Sequence, residues 1–182
     1  MRRFHILKRI RRETKGSAAI EFAIIAPVFF MMMWAIFETG MIFFASQTLT
    51  HGLQQTARSI RTGQALSDQM SQSEFRTAVC DQVDYILSCD ADKLYLDVRA
   101  FSSFAGVGFP PPLDADDMFD NVNMNHFEIG ESGNISGGSS IVLVRGFYVW
   151  QLFTPVISQY FANMPGDKRL LSASVAFKNE PY

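Results

Sequence analysis

The sequence predicts an α+β fold: a long N-terminal apolar helix that crosses a membrane and continues into a small domain built on an antiparallel sheet. Three observations carry this. Phe22 to Phe37 is sixteen residues without a charge, inside an apolar run from Ser17 to Ala45 broken only by Glu21 and by Glu38-Thr39-Gly40. Leu49, Leu53, Ala57 and Ile60 then recur at helical spacing. Beyond them, 93–101, 141–150 and 170–178 read as strands separated by helical and irregular stretches, the order of an α+β domain.

The first sixteen residues are a separate piece. They carry Arg2, Arg3, Lys8, Arg9, Arg11, Arg12 and Lys15 against Glu13, a net charge of +6. The other 166 residues carry nine basic and seventeen acidic side chains, a net of −8, which gives no electrostatic footprint for nucleic acid. Seven cations directly before an apolar run hold that end in the cytoplasm, so position 46 onward lies across the membrane. As a helix, 17–45 would be about 43 Å long, more than the roughly 30 Å of hydrocarbon it must cross. It is too long for a signal-peptide core, and no small-residue cleavage site follows at Ser46-Gln47-Thr48.

The basic segment stops at Gly16, and we read a peptidase cut between Gly16 and Ser17. The cut leaves a free amine on Ser17 and makes Glu21 the fifth residue of the remaining chain. A carboxylate in the first turn suits the helix dipole, and an ionisable group in a span usually has a partner. Pairing of Glu21 with the new amine of a neighbouring subunit would make docking depend on cleavage. Two blander readings stay open: a plain positive-inside anchor, and a Glu21 that snorkels to the near interface. Pro27 removes one helical hydrogen bond and is expected to kink or loosen a turn. Glu38 falls near the far edge of the hydrocarbon and needs no special role there.

Lys15-Gly16-Ser17-Ala18-Ala19-Ile20-Glu21-Phe22-Ala23 followed by Pro27, then Gln47 to Thr56-Ala57-Arg58 with Gly63, resembles the TadE-like family, the minor pilins or pseudopilins of tight-adherence (Tad, Flp-type) pili. Val144-Arg145, Tyr148-x-Trp150, Leu152-x-Thr154-Pro155 and the ending Phe177-Lys178-Asn179-Glu180-Pro181-Tyr182 look similar too. The resemblance implies a pilin-like domain and processing by a membrane aspartic prepilin peptidase. It also implies partners among other pilins and Tad inner-membrane assembly proteins, and a role in pilus assembly, adherence and biofilm formation. The expected location is the bacterial inner membrane, single-pass, with a periplasmic C-terminal domain. The alternative is an uncleaved single-pass protein whose outer domain binds a partner.

The expected pieces are a basic leader at 1–16, a transmembrane or filament-core helix at 17–45, an amphipathic extension at 46–63 and a periplasmic domain at 64–182. Gly63 is a plausible helix stop, and Gly52 should weaken the helix by up to about 1 kcal/mol. Ser67 to Leu87 reads as a second helix, with Ser73 as a possible cap and Phe75, Val79, Val83, Ile86 and Leu87 at helical spacing. Cys80 and Cys89 are the only cysteines. On one unbroken helix they would lie about 13.5 Å apart, beyond the ~7 Å limit for a disulfide, so pairing needs a turn between them. An oxidising compartment favours pairing, and two cysteines without a nearby histidine make a poor zinc pattern.

In 93–101, Leu94, Leu96, Val98 and Ala100 alternate with Tyr95, Asp97 and Arg99, the pattern of a half-buried strand. In 170–178, Leu171, Ala173, Val175 and Phe177 face inward, and Thr154-Pro155 opens a short helix through Ala162. Between the first two strands lie Gly106 to Pro112, an acidic group of Asp114, Asp116, Asp117 and Asp120, and a glycine- and serine-rich run from Gly130 to Ser140. The aspartates lack the spacing and closing glutamate of an EF-hand, so a solvated loop is expected rather than a calcium site. Asn134-Ile135-Ser136 matches a glycosylation acceptor pattern. No nucleophile elbow, phosphate loop or His-Glu-x-x-His motif is present, and His5, His51 and His126 sit in unrelated segments, so neither an enzyme nor a cofactor is expected.

Overall fold

The computed structural model describes residues 16–101, 103–120, 124–129 and 141–179. Most of the basic N-terminal segment, the glycosylation pattern at Asn134, the run from Gly130 to Ser140 and the final Glu180-Pro181-Tyr182 lie outside them. The elements are α1 (Ser17–Arg61), α2 (Gln64–Ser67), α3 (Gln72–Val83), β1 (Leu94–Phe101), β2 (Ile141–Gln151), α4 (Pro155–Phe161) and β3 (Lys168–Lys178). The fold is α+β: a long apolar helix followed by a three-stranded antiparallel sheet with helices. By its contacts the chain divides into two units, 1–39 and 40–182.

In the first unit α1 runs unbroken through Pro27. Its apolar side chains point outward: Phe22, Ile24, Ile25, Val28 and Ile36 are each more than 60% exposed. Among the described residues α1 is the one helix long and apolar enough to cross a membrane. The Glu38 side chain is buried.

In the second unit the helical stripe turns inward. Ala45, Leu49, Leu53, Ala57 and Ile60 are almost wholly buried, in one core with Phe75, Val79 and Val83 of α3 and Leu94, Leu96, Val98, Val142 and Val144 of the sheet. The period of 3.6 puts these residues on one side, and burying them supplies the main stabilisation. The helix stops where Gly63 turns to φ 78°, its N–H donating to the Ile60 carbonyl at 3.1 Å.

Gly52 is also a point of close approach. A Cβ there would collide with the Val83 side chain and lie 3.3 Å from the Gln82 Cβ. The absence of a side chain at this point of α1 lets α3 lie close against its backbone. Gly52→Val is therefore expected to destabilise the domain by about 1–3 kcal/mol through overpacking, read from urea unfolding followed by circular dichroism.

The second helix begins later than the periodicity implies, and its cap is Ser71 rather than Ser73. The Ser71 hydroxyl accepts from the Glu74 N–H at 3.3 Å while the Glu74 carboxylate accepts from the Ser71 N–H at 2.7 Å, a reciprocal capping box. The Ser71 N–H and, at 2.8 Å, the Ser71 hydroxyl both donate to the Glu74 carboxylate and hold it below the usual carboxylate range. A depressed native pKa gives a contribution present above the ordinary glutamate value and lost as pH falls through the native one. The stability gap between the parent and Glu74→Ala should thus be full at neutral pH and narrow in acid, as checked by melts across pH 7 to 3.

α3 ends at Val83, and the chain turns so that Cys80 and Cys89 form a disulfide with Cα atoms 5.9 Å apart. Arg76 fastens the same turn by donating to the carbonyls of Leu94 at 2.6 Å, Asp90 at 2.9 Å and Cys89 at 3.2 Å.

The strands lie in the order β1-β2-β3. Asp97 faces Arg145 across β1–β2, and Gly146 faces Ala173 across β2–β3. One sheet face packs on α1 and α3. The other, expected to meet solvent, is covered: Met124, Leu113 and Phe119 from the long β1–β2 connection pack on Tyr95, Phe147 and Leu170. The rings of Tyr95 and Phe119 stack at 4.2 Å. On β3, Leu171 and Ala173 are buried, while Val175 and Phe177 are half-buried beside a cavity of about 580 Å³ under Gln54 to Thr62.

Candidate functional site in the N-terminal helix

α1 begins at Ser17, and Glu21 is its fifth residue, so the carboxylate lies just past the first turn rather than within it. The i, i+4 spacing stacks the two side chains on one face. The Ser17 hydroxyl donates to Glu21 Oε1 at 2.8 Å, and both residues are exposed. A carboxylate one turn from the Ser17 nitrogen is placed to pair with a positive charge at that end, and its exposure leaves it open to a second chain. Around it lies an apolar surface of Ile20, Phe22, Ile24 and Ile25. Water excluded from such a surface would strengthen any ion pair formed there.

A Cβ on Gly16 would meet no described atom within 4 Å, and Gly16 does not adopt a left-handed backbone. Among the described residues nothing in the fold demands glycine at 16. Pro27 offers no N–H to the Ala23 carbonyl one turn earlier, so one carbonyl in the apolar stretch is freed.

The structure also assembles a charged cluster that local sequence patterning missed. Asp97 is fully buried. Its Oδ2 accepts from Arg145 Nη2 at 2.6 Å and Nε at 3.0 Å, and from Arg99 Nε at 3.1 Å. Its Oδ1 accepts from the His126 backbone N–H at 3.2 Å. Arg145, itself buried, spends Nη1 on the Pro110 carbonyl at 3.0 Å and lies over the Phe147 ring at 5.5 Å. One carboxylate so ties β1, β2 and both arms of the long connection together. The available signal was Arg145, a lone cation in the apolar run Ile141 to Trp150, which in a buried strand requires an acidic partner.

The acidic loop makes a turn. Asp114 Oδ1 accepts from the N–H groups of Asp116 and Met118, both at 2.9 Å. No group of three or more His, Cys, Asp or Glu side chains among the described residues is arranged to hold a metal ion. His51 is exposed on α1.

Residues 16–58 match the family model described as TadE-like protein. The further likenesses at Val144-Arg145, at 148–155 and at the C-terminal end lie outside the matched stretch. Neither a curated protein nor a solved structure matches the chain. The matched family is a pilus-associated structural component and points to other pilus proteins as partners. The single apolar N-terminal helix suggests a membrane-anchored, single-pass protein. Beginning at Gly16 and ending at the exposed Arg58 late in α1, the match makes this chain's N-terminal helix similar to that of TadE-like proteins and supports a Tad pilus-associated protein.

Proposed function

We propose that the chain is a minor pilin, or pseudopilin, of a tight-adherence type IVb pilus, needed for pilus assembly and through it for adherence and biofilm formation. It is inserted in the bacterial inner membrane with its basic end in the cytoplasm and its domain in the periplasm. Prepilin peptidase cuts between Gly16 and Ser17, and the freed helix moves from lipid into contact with other pilins at the pilus or its assembly machinery. The observation that carries this reading is the TadE-like match over 16–58, which starts at Gly16 itself. It is supported by the outward-facing apolar surface of α1, which needs lipid or neighbouring helices as its solvent. That nothing among the described residues demands glycine at 16 also fits a residue selected by a peptidase.

N-terminal sequencing of the native protein from membranes and from sheared fibres tests this. Chains beginning at Ser17 are expected in both, and Gly16→Leu should leave the leader attached. Chains that begin at Met1 in cells with normal pili would replace this reading with an uncleaved anchor whose outer domain binds a partner.

A further inference from the structure

We propose that the connection between β2 and β3 rests on the outer surface of the bilayer, with Phe153 and Tyr160 in the headgroup layer, so that the domain is seated on lipid as well as tethered to it. Phe153 is 74% exposed and Tyr160 78%, more than any other large apolar side chain among the described residues, those of the span included. Exposing two such rings on one short segment is unfavourable in water and favourable where lipid begins, because an aromatic ring with one wet edge suits the interface.

Distances within the second unit place this segment at the membrane end. Gly146 of β2 lies against Leu49 and Leu53 of α1. Phe177, the register partner of Val142, lies beside Ala57, Arg58 and Arg61. Four strand residues, about 13 Å, therefore match about eight helical residues, about 12 Å, with β2 running opposite to α1. Four more strand residues carry Trp150 to the level of about position 43, and Leu152 shares the core with Ile42 and Ala45. The segment after it lies level with the first residues of the domain's helix.

Counted along the chain, about twenty helical residues from Ser17 cross the hydrocarbon. The interface then falls a few residues beyond position 37, where the next exposed rings on α1 are Phe43 and Phe44. Charge agrees. Residues 152–169 hold Asp167, Lys168 and Arg169, a net of +1, in a chain whose residues 17–182 total −8. This segment is spared the repulsion that lipid phosphates would exert on the rest of the domain. The segment is also held in shape, with Arg169 donating to the Phe161 carbonyl at 2.7 Å and Phe153 edge-on to Trp150.

The inference rests on the membrane anchoring proposed above, and the test separates the two. The full chain is reconstituted in phosphatidylcholine–phosphatidylglycerol vesicles whose acyl chains are brominated either near the headgroup or near the bilayer centre. On a Trp150→Phe background native Trp34 reports the span. With both native tryptophans changed to Phe, Tyr160→Trp reports the segment, and Phe109→Trp, beside Pro110 on the Arg145 side of the sheet, is the control. The expected result is loss of most of the position-160 emission with shallow bromine and an unchanged signal at 109. Equal quenching at 160 and 109, with Trp34 quenched by deep bromine, overturns the inference and leaves the anchoring intact. An unquenched Trp34 overturns both.

Discussion

Asp97→Ala is expected to lower the unfolding free energy of the domain by about 3–5 kcal/mol, the cost of removing one partner from a buried ion pair. Arg145, with its side chain 5% exposed, would keep its charge and lose its counterion. The His126 N–H would lose its acceptor at the same time. Two loop segments are held through this one carboxylate, His126 directly and Pro110 through Arg145, so the loss should spread into the β1–β2 connection. Hydrogen exchange should therefore quicken at Phe127 and Glu128 as well as on β1. Asp97→Ala with Arg145→Met should cost less than the sum of the two single changes, because no uncompensated charge is left behind. Unfolding monitored by Trp150 fluorescence gives the energies. A change below about 1 kcal/mol for Asp97→Ala would mean that the cluster is solvated and marginal, contrary to its burial.

Glu21→Val is expected to leave cleavage intact and to abolish incorporation of the protein into fibres or the assembly complex. The substitution is well tolerated by an apolar helix, so membrane insertion should persist. What it removes is the charge that a free Ser17 amine, positive below a pKa near 8, would meet in a neighbouring subunit. In a water-poor surrounding such a pair is worth a few kcal/mol, so assembled protein should fall at least about tenfold. Glu21→Gln separates charge from hydrogen bonding: the amide can still accept from the Ser17 hydroxyl, 2.8 Å from Glu21 Oε1 in the parent, yet it carries no charge. It should assemble as poorly as the valine variant. Normal assembly by Glu21→Gln would show that the carboxylate serves only its own helix. Quantitative blotting of sheared fibres and of membrane complexes gives the readout.

Much of the fold was legible because its signals are local. The stripe of Leu49, Leu53, Ala57 and Ile60 is written at the helical period and is buried as that period requires. Strand alternation located β1, β2 and β3 to within a residue or two, and Gly63 marked the helix end. The capping box is written in the sequence too, since Ser71 stands three residues before Glu74, although Ser73 offers a competing cap.

The polar half of the sheet could not be read in the same way. Alternation along β1 assigns Asp97 to water, because it registers only the neighbours at 96 and 98. Arg145 and His126, which bury it, are 48 and 29 residues away. The long connection read as irregular, yet Met124, Leu113 and Phe119 make it the cover of a second small core. The close approach at Gly52 is equally non-local, since it depends on Val83 of another helix.

By itself the sequence determined what repeats at short range: an apolar helix preceded by a basic segment and carrying a carboxylate at position 21, the inward stripe that continues it, three strands, and the α+β class. Tertiary structure decided which polar groups are buried, which loop covers the second sheet face, and where the exposed rings of Phe153 and Tyr160 stand along the helix. The division is physical. Periodicity reports the solvent that each element must avoid, whereas desolvated charge pairs and close backbone approaches depend on partners that only folding brings within a few ångströms.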